Sequence, residues 1–286
     1  MDKYVITGGA GFLGFHLVKK LSELNRVLSI DSSVLDYEAR LLDQLKLDIS
    51  ERFPDIPAYE GATFIHTAAL MNTPNTDRFW AVNVNGTRNA LEWSVKHRAK
   101  HFIFLSTGGV YGYDQDKYMK ETDPTDPIGF YGYTKWIGEK LCLMYHRLHD
   151  LPITVFRLYF PYGVGQQSGI VPLIVNSVRE GKTLTIKKRG SPKINPIHMD
   201  DCVAAIQAAA GKLGGYRIYN LCGDETVSFL DLVHLVEEAC QRAASLVHSD
   251  EDPGDLLGDN SLVKGDFNWQ PRKQLTEISR IIRGGI

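Results

Sequence analysis

The feature that most restricts the fold of this 286-residue chain is a glycine-rich turn close to its start. The turn reads Thr7-Gly8-Gly9-Ala10-Gly11-Phe12-Leu13-Gly14, and it joins a short apolar run to an amphipathic one. Gly8 permits a tight turn, Gly11 lets the backbone approach a pyrophosphate, and Gly14 lets a helix pack closely on a strand. The start of such a helix also offers free N–H groups to an anion. The pattern therefore predicts a dinucleotide-binding site.

The rest of the first half alternates short apolar runs with longer amphipathic runs, which is typical of βαβ units in a parallel sheet. Strands are predicted at Lys3–Thr7, Arg26–Ile30, Thr63–Thr67, His101–Ser106 and Ile153–Arg157, and helices at Phe12–Leu24, Asp77–His97 and Tyr131–His149. We therefore predict an α/β fold, a Rossmann-type doubly wound parallel sheet over residues 1–162. A smaller C-terminal substrate-binding lobe is expected over 163–286, and about 194–212 is a candidate to return to the first domain.

Asp31 follows the second predicted strand, 17 positions after Gly14. A carboxylate at this place accepts hydrogen bonds from the adenosine ribose hydroxyls and repels a 2′-phosphate. The next residues, Ser32 and Ser33, bring no arginine to offset that repulsion. The sequence therefore predicts NAD as the cofactor, and the alternative role for Asp31 is to cap a turn.

Three polar side chains in the middle of the chain predict the chemistry. Thr107 ends a predicted strand at the edge where doubly wound sheets bind ligands. Tyr131 and Lys135 lie four residues apart, which places them on one face of a helix. The lysine charge, added to that of an oxidised nicotinamide, is expected to lower the phenol pKa from its usual value of about 10. Tyr131 is then a general base or acid, and Thr107 a hydrogen-bond donor to the reacting oxygen.

Together these motifs resemble those of the extended short-chain dehydrogenase/reductases, in the NAD-dependent epimerase/dehydratase family, over nearly the whole chain. The resemblance implies a homodimer joined through the helices Asp77–His97 and Tyr131–His149. It also implies that Asp48 and Ile49 contact the adenine, that Ala68, Ala69 and Asn83 line the cofactor groove, and that Tyr159 flanks the nicotinamide. Together with Gly8, Gly11, Phe12, Leu13, Gly14, Asp31, Tyr131 and Lys135, these are the expected cofactor-binding residues. For Ala68 and Ala69, ordinary close packing is the alternative.

The chain departs from the family where nucleotide-sugar enzymes hold the diphosphate with an asparagine and two arginines. Those positions read Phe160, Ile194 and, for the last, Glu251 or Asp252. A basic group is available to substitute in part, namely Lys187, Lys188, Arg189 and Lys193. The substrate is therefore a sugar or nucleotide-sugar held differently, or not a nucleotide.

A second departure concerns the reaction, because the 4,6-dehydratases of the family carry Asp-Glu after the catalytic threonine. Here Thr107 is followed by Gly108 and Gly109, which disfavours dehydration. Three functions stay open: a 4-epimerase-like oxidation and reduction of a sugar alcohol, a dehydrogenase or reductase of a more apolar alcohol or ketone, and a catalytically silent NAD-binding sensor or scaffold.

Composition limits the partners. The net charge of −2 with no block of like charges disfavours nucleic acid. No apolar run approaches the roughly 20 residues of a membrane span. Cys142, Cys202, Cys222 and Cys240 lack the paired spacing of a metal site, so we expect no metal, free thiols and a cytoplasmic enzyme.

Overall fold

The structure is a computed structural model that describes residues 1–114, 117–212 and 214–284. The strands are β1 Lys3–Thr7, β2 Arg26–Asp31, β3 Leu42–Lys46, β4 Thr63–His66, β5 His101–Thr107, β6 Tyr118–Met119, β7 Ile153–Leu158, β8 Pro161–Tyr162, β9 Thr183–Ile186, β10 Lys193–Ile194, β11 Ile197–His198, β12 Tyr216–Leu221, β13 Val227–Ser228, β14 Ser245–His248 and β15 Leu257–Gly258. The α-helices are α1 Phe12–Leu21, α2 Thr76–Phe79, α3 Gly86–Lys96, α4 Gly129–His149, α5 Ile170–Glu180, α6 Met199–Ala210, α7 Phe229–Cys240, α8 Ser261–Phe267 and α9 Glu277–Arg283.

Within the described residues, the central sheet has seven strands in the order β12-β7-β5-β4-β1-β2-β3. The pairs β1–β2, β1–β4, β2–β3 and β4–β5 are parallel. The chain runs outward from β1 in one direction through β2 and β3 and then in the other direction through β4 and β5. This reversal is the switch point at which doubly wound sheets bind ligands, and it confirms the predicted Rossmann-type fold.

The chain divides into two compact units. Unit 1 comprises Met1–Val110, Asp126–Arg157 and Val203–Tyr219, and unit 2 comprises Tyr111–Thr125, Leu158–Cys202 and Asn220–Ile286. These bounds differ in three places from the division expected at residue 162, and the first difference is that unit 2 takes over at Leu158. Val203–Tyr219 belongs to unit 1 because it carries most of β12, an edge strand of the sheet. Tyr111–Thr125 belongs to unit 2, where Asp114 and Asp255 exchange backbone hydrogen bonds and β6 pairs with β15. The assignment of cofactor and substrate binding to separate domains stays a prediction.

Each unit has its own apolar core. The unit 1 core lies between the sheet and its helices, with side chains such as Val5, Phe64 and Phe102 fully buried. The unit 2 core gathers Ile174, Ile194 and Leu232 among its fully buried members. Burial of this apolar area is the main favourable contribution to folding.

Several elements differ from their predicted form. The long helix expected over Asp77–His97 is divided into α2, a π-helical turn over Trp80–Asn85, and α3. The edge strand β3 was not predicted, because Leu42–Lys46 is largely exposed and has no β-branched residue. No helix in the described part of the chain has both the length and the apolar character of a membrane span.

Candidate active site

The glycine turn after β1 has the backbone geometry that its sequence predicts. Gly8 has a φ of +74°, a conformation that side-chain-bearing residues rarely adopt. A Cβ atom on Gly14 would lie 1.9 Å from the carbonyl oxygen of Gly8, so α1 packs directly on the turn. Gly11 is exposed and forms the N-cap of α1 without a side-chain cap. The turn therefore presents an open helix N-terminus, which suits the diphosphate of a dinucleotide.

The neighbouring side chains Phe12 and Leu13 are half-buried in the first turn of α1. Gly9, which the sequence analysis gave no role, is equally constrained, since a Cβ atom there would lie 2.0 Å from the Oγ of Ser29. The signal for Gly9 was present in its position beside Gly8, but the buried serine on β2 that requires it comes from another strand.

Asp31 ends β2 and faces the glycine turn. One carboxylate oxygen accepts a hydrogen bond from the backbone N–H of Ala10 at 3.0 Å, and the other accepts one from the N–H of Ser33 at 3.0 Å. The second bond is the turn-capping role considered above, and the first places the carboxylate beside the turn. Both geometries are present together, so two hydrogen bonds hold the carboxylate beside the glycine turn.

Ala68 lies against the same glycine turn, and Asn83 is bonded to Leu70, two residues further along that segment. A Cβ atom on Gly8 would come within 2.7 Å of the backbone nitrogen of Ala68, so that segment lies against the turn. Ala68 and Ala69 are half-buried. Asn83, in the π-helical turn, is buried and exchanges two hydrogen bonds with the backbone of Leu70. Asn83 therefore fixes the end of residues 68–70, the segment that carries the two alanines.

The expected adenine contacts already have partners in the chain. The Asp48 carboxylate accepts a hydrogen bond from Arg78 at 2.6 Å, and Ser50 donates two more to it. These hydrogen bonds lower the pKa of the Asp48 carboxyl although burial opposes them. Ile49 is buried, and a Cβ atom on Gly86 would meet its side chain at 2.7 Å. Arg78 is a polar residue at this place that sequence reasoning missed.

Thr107 ends β5, and the segment that follows it contacts the start of α4. The Thr107 Oγ1 accepts a hydrogen bond from the N–H of Gly109 at 3.1 Å. The carbonyl of Gly109 accepts one from the N–H of Ile128 at 3.0 Å, and a Cβ atom on Gly132 would lie 3.2 Å from it. Since Gly132 adjoins Tyr131, the structure brings the threonine turn and the tyrosine-bearing helix together.

Tyr131 and Lys135 occupy successive turns of α4, where Tyr131 is half-buried and Lys135 is buried. Lys135 is 2% exposed, and its Nζ lies 4.1 Å from the centre of the Phe104 ring, within cation–π distance. Burial lowers the pKa of Lys135 to about 8. Burial also raises the pKa of the Tyr131 phenol to about 12.

The expected lowering of the tyrosine pKa by the lysine and an oxidised nicotinamide together stays a prediction. Desolvation disfavours the ionised form of both groups, and it is the cause of the rise in the tyrosine pKa. The lysine alone therefore does not bring the phenol into the working range. A cationic ring beside the phenol is the other contribution that the prediction named.

Two buried polar groups close to these residues were not predicted. His66 ends β4, two residues before Ala68. It hydrogen-bonds the hydroxyl of Thr7 through Nδ1 and the hydroxyl of Thr87 through Nε2. Burial holds its pKa well below the usual value. Glu139 forms a buried ion pair with Arg157 and accepts a hydrogen bond from Ser106. The spacing of Glu139 from Lys135, four residues, was the available signal.

Unit 2 holds the positions at which the family pattern fails. Tyr159 is 1% exposed, and its ring packs against Gly258. Phe160 has a φ of +42°, in the left-handed region that suits an asparagine better than a phenylalanine. Ile194 is fully buried in the unit 2 core. Phe160 and Ile194 are the positions where an anchor was expected, and neither side chain offers a phosphate a charged partner.

The basic group of unit 2 is paired with acidic side chains. Lys187 contacts Glu251 at 2.8 Å, and Lys188 contacts Asp252 at 3.9 Å. Lys193 contacts Asp255 at 3.8 Å. The side chain of Arg189 lies outside the described residues. Substitution of these lysines for the missing anchors would therefore require breaking their ion pairs.

Comparison with known proteins gives consistent matches over most of the chain. The sequence profile of the NAD dependent epimerase/dehydratase family matches residues 4–222. An uncharacterized UDP-glucose epimerase of Bacillus subtilis (strain 168) is 30% identical, over 96% of this chain and 95% of the relative. A dTDP-glucose 4,6-dehydratase of Actinoplanes sp. is 26% identical, over 96% of this chain and 94% of the relative.

Solved structures agree with these matches. The crystal structure of UDP-glucose 4-epimerase from Thermotoga maritima, with UDP-glucose, is 25% identical to this chain and superimposes with a TM-score of 0.85. The match covers 99% of this chain and 97% of that one.

Proposed function

This chain belongs to the NAD-dependent epimerase/dehydratase family, and we propose that it epimerises a secondary alcohol of a sugar, most favourably a nucleotide-sugar, by NAD-dependent oxidation and reduction. The observation that carries the proposal is in unit 1. The turn after Thr107 contacts the helix that carries Tyr131 and Lys135, and the same unit contains the glycine turn with Asp31 beside it.

The proposed mechanism assigns one task to each side chain. NAD would supply the acceptor for a hydride from the substrate carbon and the donor for its return to the opposite face of that carbon, which inverts the configuration. The glycine turn would hold the diphosphate of NAD, and Asp31 its adenosine ribose. Tyr131 takes the proton of the substrate hydroxyl at its Oη and gives it back, while the Thr107 hydroxyl hydrogen-bonds the same oxygen. The Lys135 ammonium stabilises the phenolate, which is the form of Tyr131 that takes this proton.

Relatives and sequence support this reaction over its neighbours. The Bacillus subtilis relative is named a UDP-glucose epimerase, and the Thermotoga maritima structure contains UDP-glucose. A 4,6-dehydratase is also among the relatives. Gly108 and Gly109 carry no side chain that could move a proton or water, so dehydration lacks its acid and base here.

A substrate panel tests the proposal. Purified protein with NAD is incubated with UDP-glucose, UDP-galactose and UDP-glucuronic acid, and the product is resolved by NMR for configuration at C4 while absorbance at 340 nm follows NADH. Epimerisation without net NADH formation supports the proposal. Net, stoichiometric NADH formation or no reaction on any nucleotide-sugar contradicts it.

The second candidate is an NAD-dependent dehydrogenase or reductase of a more apolar alcohol or ketone. It is favoured by the apolar Phe160 and Ile194 where nucleotide-sugar enzymes carry phosphate anchors, and by the ion pairs that engage Lys187 and Lys188. Apolar secondary alcohols in the same panel distinguish it, because they would give net NADH.

Cofactor preference is expected to depend on Asp31. Replacing Asp31 with asparagine removes the charge that repels a 2′-phosphate and weakens the ribose contact. Since a charge-assisted hydrogen bond contributes about 1.5–3 kcal/mol, the ratio of the NADP Kd to the NAD Kd should fall by about 10- to 100-fold. Titration calorimetry with both cofactors measures it. Asp36→Asn, at an exposed acid five residues on, is the matched control, and an equal change in both variants would contradict the assignment.

We also propose that the protein is a homodimer packed through the helical segment Trp80–Lys96 and through α4. Large apolar side chains are exposed along these elements, with Leu148 67% and Tyr133 49% exposed. Tyr133, Met144 and Leu148 recur at helical spacing on one face of α4, which is the pattern of a helix that packs on a partner.

The dimer proposal predicts that Leu148→Glu combined with Met144→Glu gives a monomer, because two charges would be buried without partners. Light scattering coupled to gel filtration measures the mass. Leu173→Glu, at a 56% exposed leucine on α5, is the control and should leave the mass unchanged. A double variant that remains a dimer would contradict the proposed interface.

Finally, we propose a cytoplasmic location. The four cysteines are free thiols, and Cys142, Cys202 and Cys222 are buried, which fits a reducing compartment.

A further inference from the structure

A buried ion pair lies one helical turn beyond Lys135, at the junction of α4, β5 and β7. Glu139 is 1% exposed and Arg157 is 3% exposed. The pair is bidentate: Arg157 Nε donates to Glu139 Oε1 at 3.0 Å, and Arg157 Nη2 donates to Oε2 at 2.7 Å. Ser106 Oγ donates a third hydrogen bond to Oε1 at 2.6 Å. The carboxylate is therefore fully engaged by two neighbouring strands.

The spacing of these residues connects the pair to the candidate active site. Tyr131, Lys135 and Glu139 follow one another at four-residue intervals, so they lie along one face of α4. Ser106 is the residue before Thr107 at the end of β5. A single carboxylate thus holds the helix of the phenol and ammonium to the strand of the hydroxyl.

Burial disfavours the charged form of Lys135, and the negative charge of Glu139 favours it. The groups that act on Lys135 are Glu139 and Cys142 on α4, His66 on β4 and the Phe104 ring on β5. Arg157 binds the Glu139 carboxylate, and the Tyr216 hydroxyl donates to the Glu139 backbone carbonyl. Burial keeps His66 neutral and raises the pKa of the Cys142 thiol well above its usual value. Glu139 is thus the anion in this described set, and its charge raises the pKa of Lys135 against the desolvation.

Stability alone is a weak reason for such a pair. Desolvation of two buried charges largely offsets their attraction, and apolar residues of similar volume often serve the fold as well. The effects that apolar residues could not reproduce are the negative charge near Lys135 and the directed bond to Ser106.

We propose that Glu139 is a positioning residue, which keeps Lys135 in its ammonium form and fixes the helix of Tyr131 against the strand of Thr107, with Arg157 and Ser106 holding its carboxylate. This inference rests on the proposed function, in which Lys135 acts as an ammonium.

The direct test titrates the amine of Lys135 by NMR, with lysine labelled at the ε-carbon. The signal is assigned by its absence from Lys135→Met. In Glu139→Gln the negative charge is gone and that of Arg157 is unbalanced, so the midpoint should fall below its value of about 8 in the native chain, by about one pH unit. Arg157→Lys keeps both charges and should leave the midpoint within about 0.3 unit. An unchanged midpoint in folded Glu139→Gln overturns the proposal.

The variant Thr154→Val separates the action of Glu139 on Lys135 from a purely structural role. Thr154 lies on β7 and shares a buried hydrogen bond of 2.9 Å with His101 on β5, so this variant removes an uncharged contact between the same two strands. It should lower thermal stability without moving the Lys135 midpoint. If Glu139→Gln does not fold, Glu139→Asp withdraws the carboxylate by one methylene and should give a smaller fall. No fall in Glu139→Asp would then overturn the proposal.

The pH profile connects the inference to turnover. Above the lysine midpoint kcat/KM should decline, and in Glu139→Gln this decline should begin about one pH unit lower. A lower NMR midpoint with an unmoved profile overturns the positioning role. A lower midpoint in a chain that turns over no substrate of the panel refutes the proposed function, while the action of Glu139 on Lys135 stands.

Discussion

Replacing Tyr131 with phenylalanine is expected to lower kcat by at least about 10²- to 10⁴-fold, the usual contribution of a positioned general acid or base. The variant loses only the phenol oxygen, which in the proposed mechanism exchanges the proton of the substrate hydroxyl. The aromatic ring and the packing of α4 stay. The Kd for NAD should therefore remain within about twofold of the native value, as measured by calorimetry, while turnover on the reactive substrate is lost.

Tyr133 provides the matched control for this experiment. It lies two residues further along the same helix but is 49% exposed, with a different orientation from Tyr131. Tyr133→Phe should retain full activity. A Tyr131→Phe enzyme that turns over at the native rate would exclude both enzymatic candidates. A parallel loss of NAD affinity would mean that the residue binds the cofactor and has no proven part in proton transfer.

Replacing Gly14 with alanine is expected to disrupt the cofactor site as a whole. The new Cβ would lie 1.9 Å from the Gly8 oxygen, 2.6 Å from its carbon and 2.9 Å from the Cα of Gly9, all of them backbone atoms. The helix and the turn must therefore separate. Overpacking of this kind costs about 1–3 kcal/mol, and the displaced turn should weaken NAD binding by about 100-fold or more. Thermal melting and calorimetry measure the two effects.

Two glycine variants separate the causes. Gly11→Ala meets only the Gly8 oxygen, at 3.1 Å, so it should fold normally and weaken NAD binding through its approach to the diphosphate. Gly265→Ala on α8 meets no atom within 4 Å, so it should leave NAD binding unchanged and raise the melting temperature slightly through its better helix propensity. A Gly14→Ala protein with native melting and native NAD affinity would contradict the described packing.

The fold was predictable where local sequence and packing agree. The glycine turn can be recognised in the sequence because one backbone conformation requires Gly8, Gly11 and Gly14 within a few residues of each other. The strands Lys3–Thr7 and His101–Thr107 are apolar and buried, so their composition is decisive. In contrast, Leu42–Lys46 is an exposed edge strand that forms because β2 is available for pairing, and nothing within its own sequence reveals this.

The candidate site was predictable to a similar extent, and for the same reason. Tyr131 and Lys135 share a helix, so their relation can be deduced from spacing alone. Glu139 has the same spacing, but its partners Ser106 and Arg157 come from two strands whose adjacency only the sheet order provides. The rise that burial causes in the pKa of Tyr131 was not predicted, because a sequence shows neighbouring charges more readily than it shows the exclusion of water.

The return of β12 to the central sheet has a consequence for the order in which this protein is made. Unit 1 begins at the first residue, yet one of its edge strands begins only at Tyr216, after the segments Tyr111–Thr125 and Leu158–Cys202 of unit 2 have been synthesised. Until then β7 is itself an edge strand, with unpaired backbone groups that favour aggregation. A nascent chain that stalls before residue 216 therefore exposes β7 as an unpaired edge strand. Early termination in this region should yield insoluble protein.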